Sequence, residues 1–206
     1  MDPSINERFL KATEQDMPEL NARFESEDRE ISVARHEVFA ALQVKEGNHV
    51  GDIGAGTGLF APLLHQAVGA TGKVYCGDFS PQMVSYLRKR VVEDQLTQVE
   101  VVTCTDTTTG LARASVDLLF ICDTYHHFEQ PEAMLYSIHQ ALRPGGRFAL
   151  VDYERIEGVT GEWMFNHLRV GKEQARVEVE AAGFEFLEQP RVAGLVENYM
   201  LLFRRI

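Results

Sequence analysis

Residues 50–58 read Val-Gly-Asp-Ile-Gly-Ala-Gly-Thr-Gly, a short apolar run with one aspartate that leads into a glycine-rich loop. The apolar start predicts a buried strand, and Leu59–Val68 after the loop predicts a helix. Glycines are needed where the backbone turns sharply or where a ligand lies directly against it. A dinucleotide loop of the GxGxxG type would have its third glycine at position 59, where this chain has Leu59. The loop alone leaves two interpretations open, a ligand cradle and a structural turn.

The bulk composition is that of a globular protein of one domain. The chain has 206 residues, of which 45% are hydrophobic and 25% charged, and its net charge of -11 argues against binding along a nucleic-acid backbone. No apolar run approaches the roughly 18 residues of a membrane span, and the N-terminus has no signal-peptide pattern. Cys76, Cys104 and Cys122 lie in strand-like apolar runs, which is typical of buried thiols in a reducing compartment. We therefore expect a cytoplasmic protein without a transmembrane segment or nucleic-acid partner. The composition leaves the oligomeric state open.

Strand-like and helix-like runs alternate through the middle of the chain. Such repeated strand–helix units predict a parallel sheet with helices on both faces. The crossover at Thr105–Ser115 is polar and lacks helical periodicity, so we expect a loop there. The predicted strands are His49–Ile53, Lys73–Gly77, Val99–Cys104, Val116–Cys122 and Arg147–Asp152, and the predicted helices are Leu59–Val68, Pro81–Gln95 and Pro131–Leu142.

The C-terminal pattern differs from the repeat. A predicted helix at Lys172–Ala182 precedes two strands, Phe184–Gln189 and Asn198–Arg204, whose link is too short for a parallel return. The sequence thus predicts an α/β fold with a Rossmann-like, doubly wound, mostly parallel seven-stranded sheet and a C-terminal antiparallel hairpin. Residues 1–44 are amphipathic and predict a helical segment that serves as a cap on the sheet edge, a lid, or both. Residues 45–206 form the predicted main domain.

Acidic residues follow the first three strands, where open α/β sheets bind their ligands. Asp52 ends the first strand, and Asp78 after the second can accept hydrogen bonds from both hydroxyls of a ribose. Asp78 could instead cap the next helix, although Ser80 already suits that position. Asp106 after the third strand can accept from an adenine amine or open an Asx-turn. Met83 offers an apolar face to a base, or is a core residue.

Five motifs occur in a familiar order: DIGAGTG at 52–58, GDFSPQM at 77–83, TDTT at 105–108, VDLLFI with a following HHF at 116–128, and ALRPGG at 141–146. In these motifs the chain resembles class I S-adenosylmethionine (SAM)-dependent methyltransferases, in particular the ubiquinone/menaquinone-biosynthesis-like (methyltransferase type 11) group. The resemblance covers about residues 45–152 and departs from the group in the third crossover. It implies SAM as the cofactor. The implied cofactor-binding residues are Asp52, Gly54, Ala55, Gly56, Gly58, Asp78, Phe79, Met83, Asp106, Thr107 and Asp123.

The turn after the fourth strand carries the candidate catalytic residues, Asp123, His126 and His127. In the fold of that family this turn lies beside the reacting methyl group. Histidine suits removal of a proton from the acceptor because its pKa of ~6.5 leaves it largely neutral at pH 7. Either histidine could be the base, the second could pack structurally instead, and Asp123 could orient the amino group of SAM.

The same turn raises the question of a metal. Asp123, His126, His127 and Asp152 form a possible ligand set, but the carboxylate spacing of the catechol-type enzymes is absent and Tyr153 follows Asp152. The sequence therefore predicts no metal. The other histidines stand apart in the sequence and are expected to be surface or structural residues: His36, His49, His65, His139 and His167.

Two stretches remain for the acceptor pocket, the N-terminal segment and the connector Tyr153–Arg169. The connector contains Trp163, Met164 and Phe165, an apolar cluster that would suit an apolar acceptor or would pack on the sheet. The resulting prediction is a SAM-dependent methyltransferase acting on a small-molecule acceptor, which could be apolar or lipid-like. The alternatives are a SAM- or nucleotide-binding protein of this fold without methyl transfer, and an NAD-dependent oxidoreductase, which Leu59 and the terminal hairpin disfavour.

Overall fold

A computed structural model describes the backbone of residues 4–206 and the side chains from Asn6 onward. One sheet of seven strands runs through it in the order β3-β2-β1-β4-β5-β7-β6. Its strands are β1 (His49–Ile53), β2 (Lys73–Asp78), β3 (Val99–Thr103), β4 (Val116–Cys122), β5 (Leu142–Tyr153), β6 (Phe184–Glu188) and β7 (Asn198–Arg205).

Helices lie before the sheet and between its strands. Ser80 caps the longest of them, with its hydroxyl accepting from the Met83 amide, and prolines occupy the first turns at Pro81 and Pro131, as the sequence predicts. The helices are α1 (Ser4–Leu10), α2 (Met17–Phe24), α3 (Glu30–Val33), α4 (Arg35–Leu42), α5 (Ala61–Val68), α6 (Pro81–Glu93), α7 (Pro131–Ala141), α8 (Glu162–His167) and α9 (Lys172–Ala181), with 3-10 turns at Glu14–Asp16 and Tyr125–His127.

The strand pairing confirms the predicted fold class. Strands β1 to β5 pair in parallel, whereas β7 pairs antiparallel with both β5 and β6. The observed strands differ from the predicted ones mainly at their ends, and the largest difference is that β5 begins at Leu142. That residue pairs with Val116 across a bulge, so the Pro-Gly-Gly turn lies inside the strand. Strand order reverses between β1 and β4, which opens a ligand crevice at their carboxyl ends.

Two apolar clusters fill the core, one for each face of the sheet. Neighbouring residues of β4 alternate between them: Phe120 belongs to the first cluster and Leu119 to the second. The first cluster also contains Ile31, Val38 and Leu42, all fully buried. Residues from α3 onward are therefore part of the main core. In contrast, α2 packs through a separate small cluster formed by Met17, Leu20 and Met83.

Two further observations concern the predicted protein class. Within residues 4–206, no helix is both long and apolar enough to cross a membrane. The three cysteines are free thiols, of which Cys76 and Cys104 are buried and Cys122 is half-buried.

Candidate active site

A cavity of about 830 Å³ lies at the carboxyl ends of β1, β2, β4 and β5. Its floor is the sheet edge, and its walls come from α1, α2 and α8. It thereby brings the glycine loop, the His126–His127 turn, the N-terminal segment and the connector to one place. Because the strand-order reversal lies beneath it, this is where an open α/β sheet is expected to bind its ligands.

The glycine loop follows β1 and lines the cavity with Gly54, Ala55 and Gly56. A Cβ atom on Gly54 would lie 2.3 Å from the Thr124 side chain, so no larger residue fits there. Gly56 has a φ of 56°, and a Cβ on it would lie 3.4 Å from the Phe24 ring. Gly58 also has positive φ, but it faces Leu87 of α6 and not the cavity. The loop thus presents bare backbone to a ligand.

Two buried carboxyls lie beside the loop. Asp78 accepts hydrogen bonds from the backbone amides of Gly56 (3.0 Å) and Ser80 (2.9 Å). Burial raises the pKa of Asp78 to about 6, and burial together with the nearby Asp78 raises the pKa of Asp52 to about 7. Both side chains line the cavity. They form an acidic pair that favours a ligand with hydroxyl donors or a positive charge.

The other predicted cofactor residues divide into two groups. Phe79 and Met83 line the cavity next to Asp78, whereas Asp106 and Thr107 lie outside its lining. Asp106 instead accepts a 2.7 Å hydrogen bond from the side-chain amide of Gln130. In this conformation the side chains of Asp106 and Thr107 lie apart from the predicted cofactor residues that line the cavity. Their contacts with the base of a cofactor therefore stay predictions.

A histidine–aspartate pair occupies the centre of the site. His126 Nδ1 lies 2.7 Å from Asp152 Oδ1, and the His126 amide donates to Asp152 Oδ2 at 3.0 Å. Both side chains are almost completely buried. Burial opposes charging of the ring, but the Asp152 carboxylate outweighs it and raises the pKa of His126. The pair combines a fixed ring orientation with increased basicity, as a general base requires.

Two more imidazoles surround His126. The ring centroid of His127 lies 4.2 Å from that of His126, and the centroid of His167 lies 5.1 Å from it. Burial and its histidine neighbours lower the pKa of His127 to about 2, and burial lowers the pKa of His167. The sequence predicts that His167 is a surface or structural residue, but it ends α8 and lines the cavity. The one indication in the sequence was its position four residues after Trp163, within the connector that is predicted to line the acceptor pocket.

Asp123 lines the cavity, but its carboxylate already has partners. Arg29 donates to Oδ2 at 2.8 Å and Asn198 donates to Oδ1 at 2.6 Å. The residue has a φ of 48°, a strained value outside glycine that is typical of functional turns. Burial raises the pKa of Asp123, although Arg29 opposes that shift. Asp123 thus joins the N-terminal segment to the β4 turn, and its catalytic role stays a prediction. No sequence pattern indicated Arg29.

The N-terminal segment is fastened over the cavity at several points. The Asn6 side chain donates to the backbone oxygen of His127 at 3.0 Å, and the Ser80 hydroxyl donates to the backbone oxygen of Phe9 at 2.7 Å. Phe9 contacts the edge of the His127 ring. From the other side, Trp163 stacks on His167 with 4.7 Å between ring centroids.

The predicted apolar cluster of the connector is divided between two environments. Trp163 and Met164 line the cavity. Phe165 lies outside its lining and packs under the Arg155 guanidinium.

Comparison with known proteins agrees with this geometry. Residues 51–150 match a family model described as a methyltransferase domain. This part of the chain is therefore similar to methyltransferase domains. Among curated relatives, the ubiquinone/menaquinone biosynthesis C-methyltransferase UbiE of Stenotrophomonas maltophilia is 31% identical over 125 residues, which cover 60% of this chain and 48% of that protein. The UbiE protein of Xylella fastidiosa is 29% identical over the same length. The chain therefore spans about half the length of these relatives, 48% in both cases.

Solved structures share the fold over nearly the whole chain. A SAM-dependent methyltransferase from Aquifex aeolicus superposes with a TM-score of 0.79 at 24% identity, covering 95% of this chain and all of the other. The [4+2]-cyclase SpnF superposes with a TM-score of 0.70 at 18% identity, covering 84% of this chain and 81% of that one. At such identities the similarity shows the fold alone.

The residues of the cavity fit SAM. The glycine loop leaves bare backbone where side chains would fill the cradle, and the buried Asp78 carboxyl at the end of β2 offers an acceptor for ribose hydroxyls. Asp52 and Asp78 make this end of the cavity acidic, which suits a ligand that carries a positive charge. SAM is therefore the cofactor that the residues lining this cavity fit.

Proposed function

We propose that this chain transfers a methyl group from SAM to a small, apolar or lipid-like acceptor that carries an ionisable proton. One observation carries the proposal: a single cavity is lined by the glycine loop, by Asp78 and by His126, whose ring is held by Asp152. The relatives named ubiquinone/menaquinone biosynthesis C-methyltransferase suggest the class of acceptor, a hydroxylated ring related to quinones.

The cofactor side of the proposal uses residues 52–58 and 77–83. When bound, SAM supplies an electrophilic methyl group on a good leaving group. Gly54 and Gly56 admit the cofactor against the backbone, and Asp78 accepts from its ribose hydroxyls. Met83 provides an apolar wall beside them. The chain thereby fixes the position of the cofactor, which is the main task in a transfer that needs correct alignment.

The acceptor side uses aromatic residues around the histidines. Phe9 and Phe24 form the wall on the N-terminal side, with 6.2 Å between their ring centroids. Trp163 forms the opposite wall and is 65% exposed, which places it at the mouth of the cavity. Apolar walls with a few polar groups at the centre suit an apolar ring better than a charged sugar. We propose that residues 6–25 serve as the lid of this pocket.

The central proton transfer uses His126. Asp152 holds Nδ1 of the ring, so Nε2 is the nitrogen left to take a proton from the acceptor. Loss of that proton makes a hydroxyl oxygen, or the ring carbon conjugated to it, nucleophilic towards the methyl group. The Asp152 carboxylate stabilises the resulting imidazolium, as its effect on the His126 pKa indicates.

A methyl-transfer assay with isotope-labelled SAM tests the proposal. The acceptors are hydroxylated aromatic rings with and without an apolar tail, with a charged sugar as the comparison. We expect label to enter the ring compounds only. Asp152→Asn should lower kcat about 100-fold, because the ring loses the carboxylate that orients it and stabilises its charge.

Asp117→Asn is the matched control, since Asp117 lies outside the cavity lining and pairs with Arg143 at the opposite end of β4. Its turnover should equal that of the parent. SAM binding by calorimetry without transfer to any acceptor would favour the rival reading, a binding protein on this fold. The fold permits that alternative, because the superposable cyclase shows that this fold also occurs in proteins named for another activity.

A further inference from the structure

Three imidazoles meet at one wall of the cavity. His126 and His127 lie on the 3-10 turn after β4, and His167 is the last residue of α8. The His127 and His167 ring centroids are 5.4 Å apart, so each ring neighbours the other two. One ligand nitrogen from each ring can be chosen so that all three lie within 4.8 Å of one another.

The hydrogen bonds around His126 and His127 determine which nitrogens are free. The Asn6 amide nitrogen donates to the His127 carbonyl and to Glu129, so its Oδ1 is the atom that faces His127 Nδ1, at 3.1 Å. His127 therefore carries its hydrogen on Nδ1. Asp152 accepts from His126 Nδ1 in the same way. Nε2 is left as a lone-pair donor on both rings.

This arrangement is the one that metal-binding histidines adopt. A ligating imidazole almost always donates its other ring N–H to a carboxylate or to an amide or backbone oxygen, and this hydrogen bond fixes the orientation of the ring. Here a carboxylate supports one ring and an amide oxygen supports the second. The ligand set that the sequence suggested differs, because Asp123 is engaged by Arg29 and Asn198 and Asp152 supports a ring.

We propose that His126, His127 and His167 bind a divalent first-row transition ion, with zinc as the best fit. Imidazole ligands suit Zn²⁺, Cu²⁺, Ni²⁺ and Fe²⁺ and not Mg²⁺ or Ca²⁺. Three protein ligands leave a fourth tetrahedral position open towards the cavity. Ligand nitrogens about 2.0–2.1 Å from one zinc lie roughly 3.3 Å apart, so the cluster must contract on binding. The α8 helix has no buried residues, which allows His167 to move.

Metal binding should affect methyl transfer, a consequence that rests on the proposed function. A coordinated Nε2 of His126 has no lone pair for a proton of the acceptor, so the occupied site blocks the base. Zinc should then inhibit methyl transfer, and a chelator should restore it. Binding of the ion is a separate claim, because it requires only the three rings and their partners.

The test is titration of chelator-treated protein with Co²⁺, followed by visible absorption, and competition with Zn²⁺. We expect one ion per chain with the strong visible bands of a tetrahedral site. His167→Ala and His127→Gln should each weaken binding at least ~10-fold, and Asp152→Asn about 10- to 100-fold through the His126 ring. The matched control His36→Ala removes an exposed histidine outside the cavity and should leave binding unchanged.

Thermal melting shows that each variant is folded before it is titrated. An absence of stoichiometric binding in the parent, or equal affinity in His167→Ala, would overturn the metal site. Methyl transfer by the chelator-treated parent is measured separately. If it fails while Co²⁺ binds, the proposed function is wrong and the metal site stands; if it succeeds without Co²⁺ binding, the reverse holds.

Discussion

The two sides of the cavity are built in different ways. The cofactor side consists of residues 52–58 and 77–83, which directly follow two paired strands and are held by backbone hydrogen bonds, such as that from the Gly54 amide to Gly77 at 2.8 Å. The acceptor side joins segments far apart in the chain through side chains: Asn6 to His127, Arg29 to Asp123 and His126 to His167. The first side is part of the rigid sheet. The second depends on contacts that can be changed one at a time.

The largest effect should follow from a change on the cofactor side, Gly56→Val. The site has positive φ, where a β-branched residue is strained by roughly 1–2 kcal/mol, and the new side chain would enter the space between the loop and Phe24. We expect SAM binding, measured by calorimetry, to be lost while the protein stays folded.

Gly145→Val is the control for backbone strain. Gly145 also has positive φ, but it has no neighbouring atoms within 4 Å and lies outside the cavity lining. It should lose some thermal stability and keep its SAM affinity. Equal SAM affinity in Gly56→Val would show that the loop is only a structural turn and would remove the contrast between the two sides.

A smaller effect should follow from removing the lid, in a chain that starts at Ser26. The deletion takes away Asn6, Phe9 and Phe24 but keeps Ile31, Val38 and Leu42 in the main core. We expect a folded protein whose SAM affinity changes little, because Asp78 and the glycine loop remain. Turnover should fall at least ~10-fold, since the acceptor is no longer held in line.

Hydrogen exchange gives a second readout for the lid. Amides of residues 6–25 in the full chain should exchange more slowly when SAM is added. Full turnover of the shortened chain, together with unchanged exchange in the parent, would contradict the lid and leave α8 as the only wall that positions the acceptor.

The smallest effect should be the pH dependence of SAM binding. A cationic ligand prefers ionised carboxylates, and the pKa values of Asp78 and Asp52 are raised to about 6 and about 7. SAM affinity should therefore increase as the pH rises through this window, by roughly 10-fold for each unit by which binding lowers a pKa.

The free protein should show the opposite trend. Because the folded pKa values exceed those of the unfolded chain, its stability should decrease as the pH rises from about 4 towards 7. Asp78→Asn should remove the part of both pH dependences, that of SAM affinity and that of stability, which is centred near pH 6. Binding that is independent of pH across this range would mean that the two carboxyls do not face the cationic part of the cofactor.

The two sides also differed in how far they could be predicted. Asp52, the glycine loop and Asp78 could be located because each follows an apolar run, and a strand end is a local feature. His126 follows the same rule, but the sequence suggests its partner Asp152 only as a possible metal ligand. His167 and Arg29 could not be assigned, because nothing in their own stretches shows that α8 and the segment after α2 close over the β4 turn.

The sequence by itself determined the seven strands, their mostly parallel pairing with a closing antiparallel hairpin, and the strand ends where Asp52, the glycine loop and Asp78 lie. These depend on hydrophobic periodicity, glycines and strand-end residues, which act over a few positions. Only the tertiary structure decided that three histidines share one wall, that Asp152 orients His126, and that Asp106 lies outside the cavity. Such contacts form between residues far apart in the chain, so packing decides them and local sequence patterns do not.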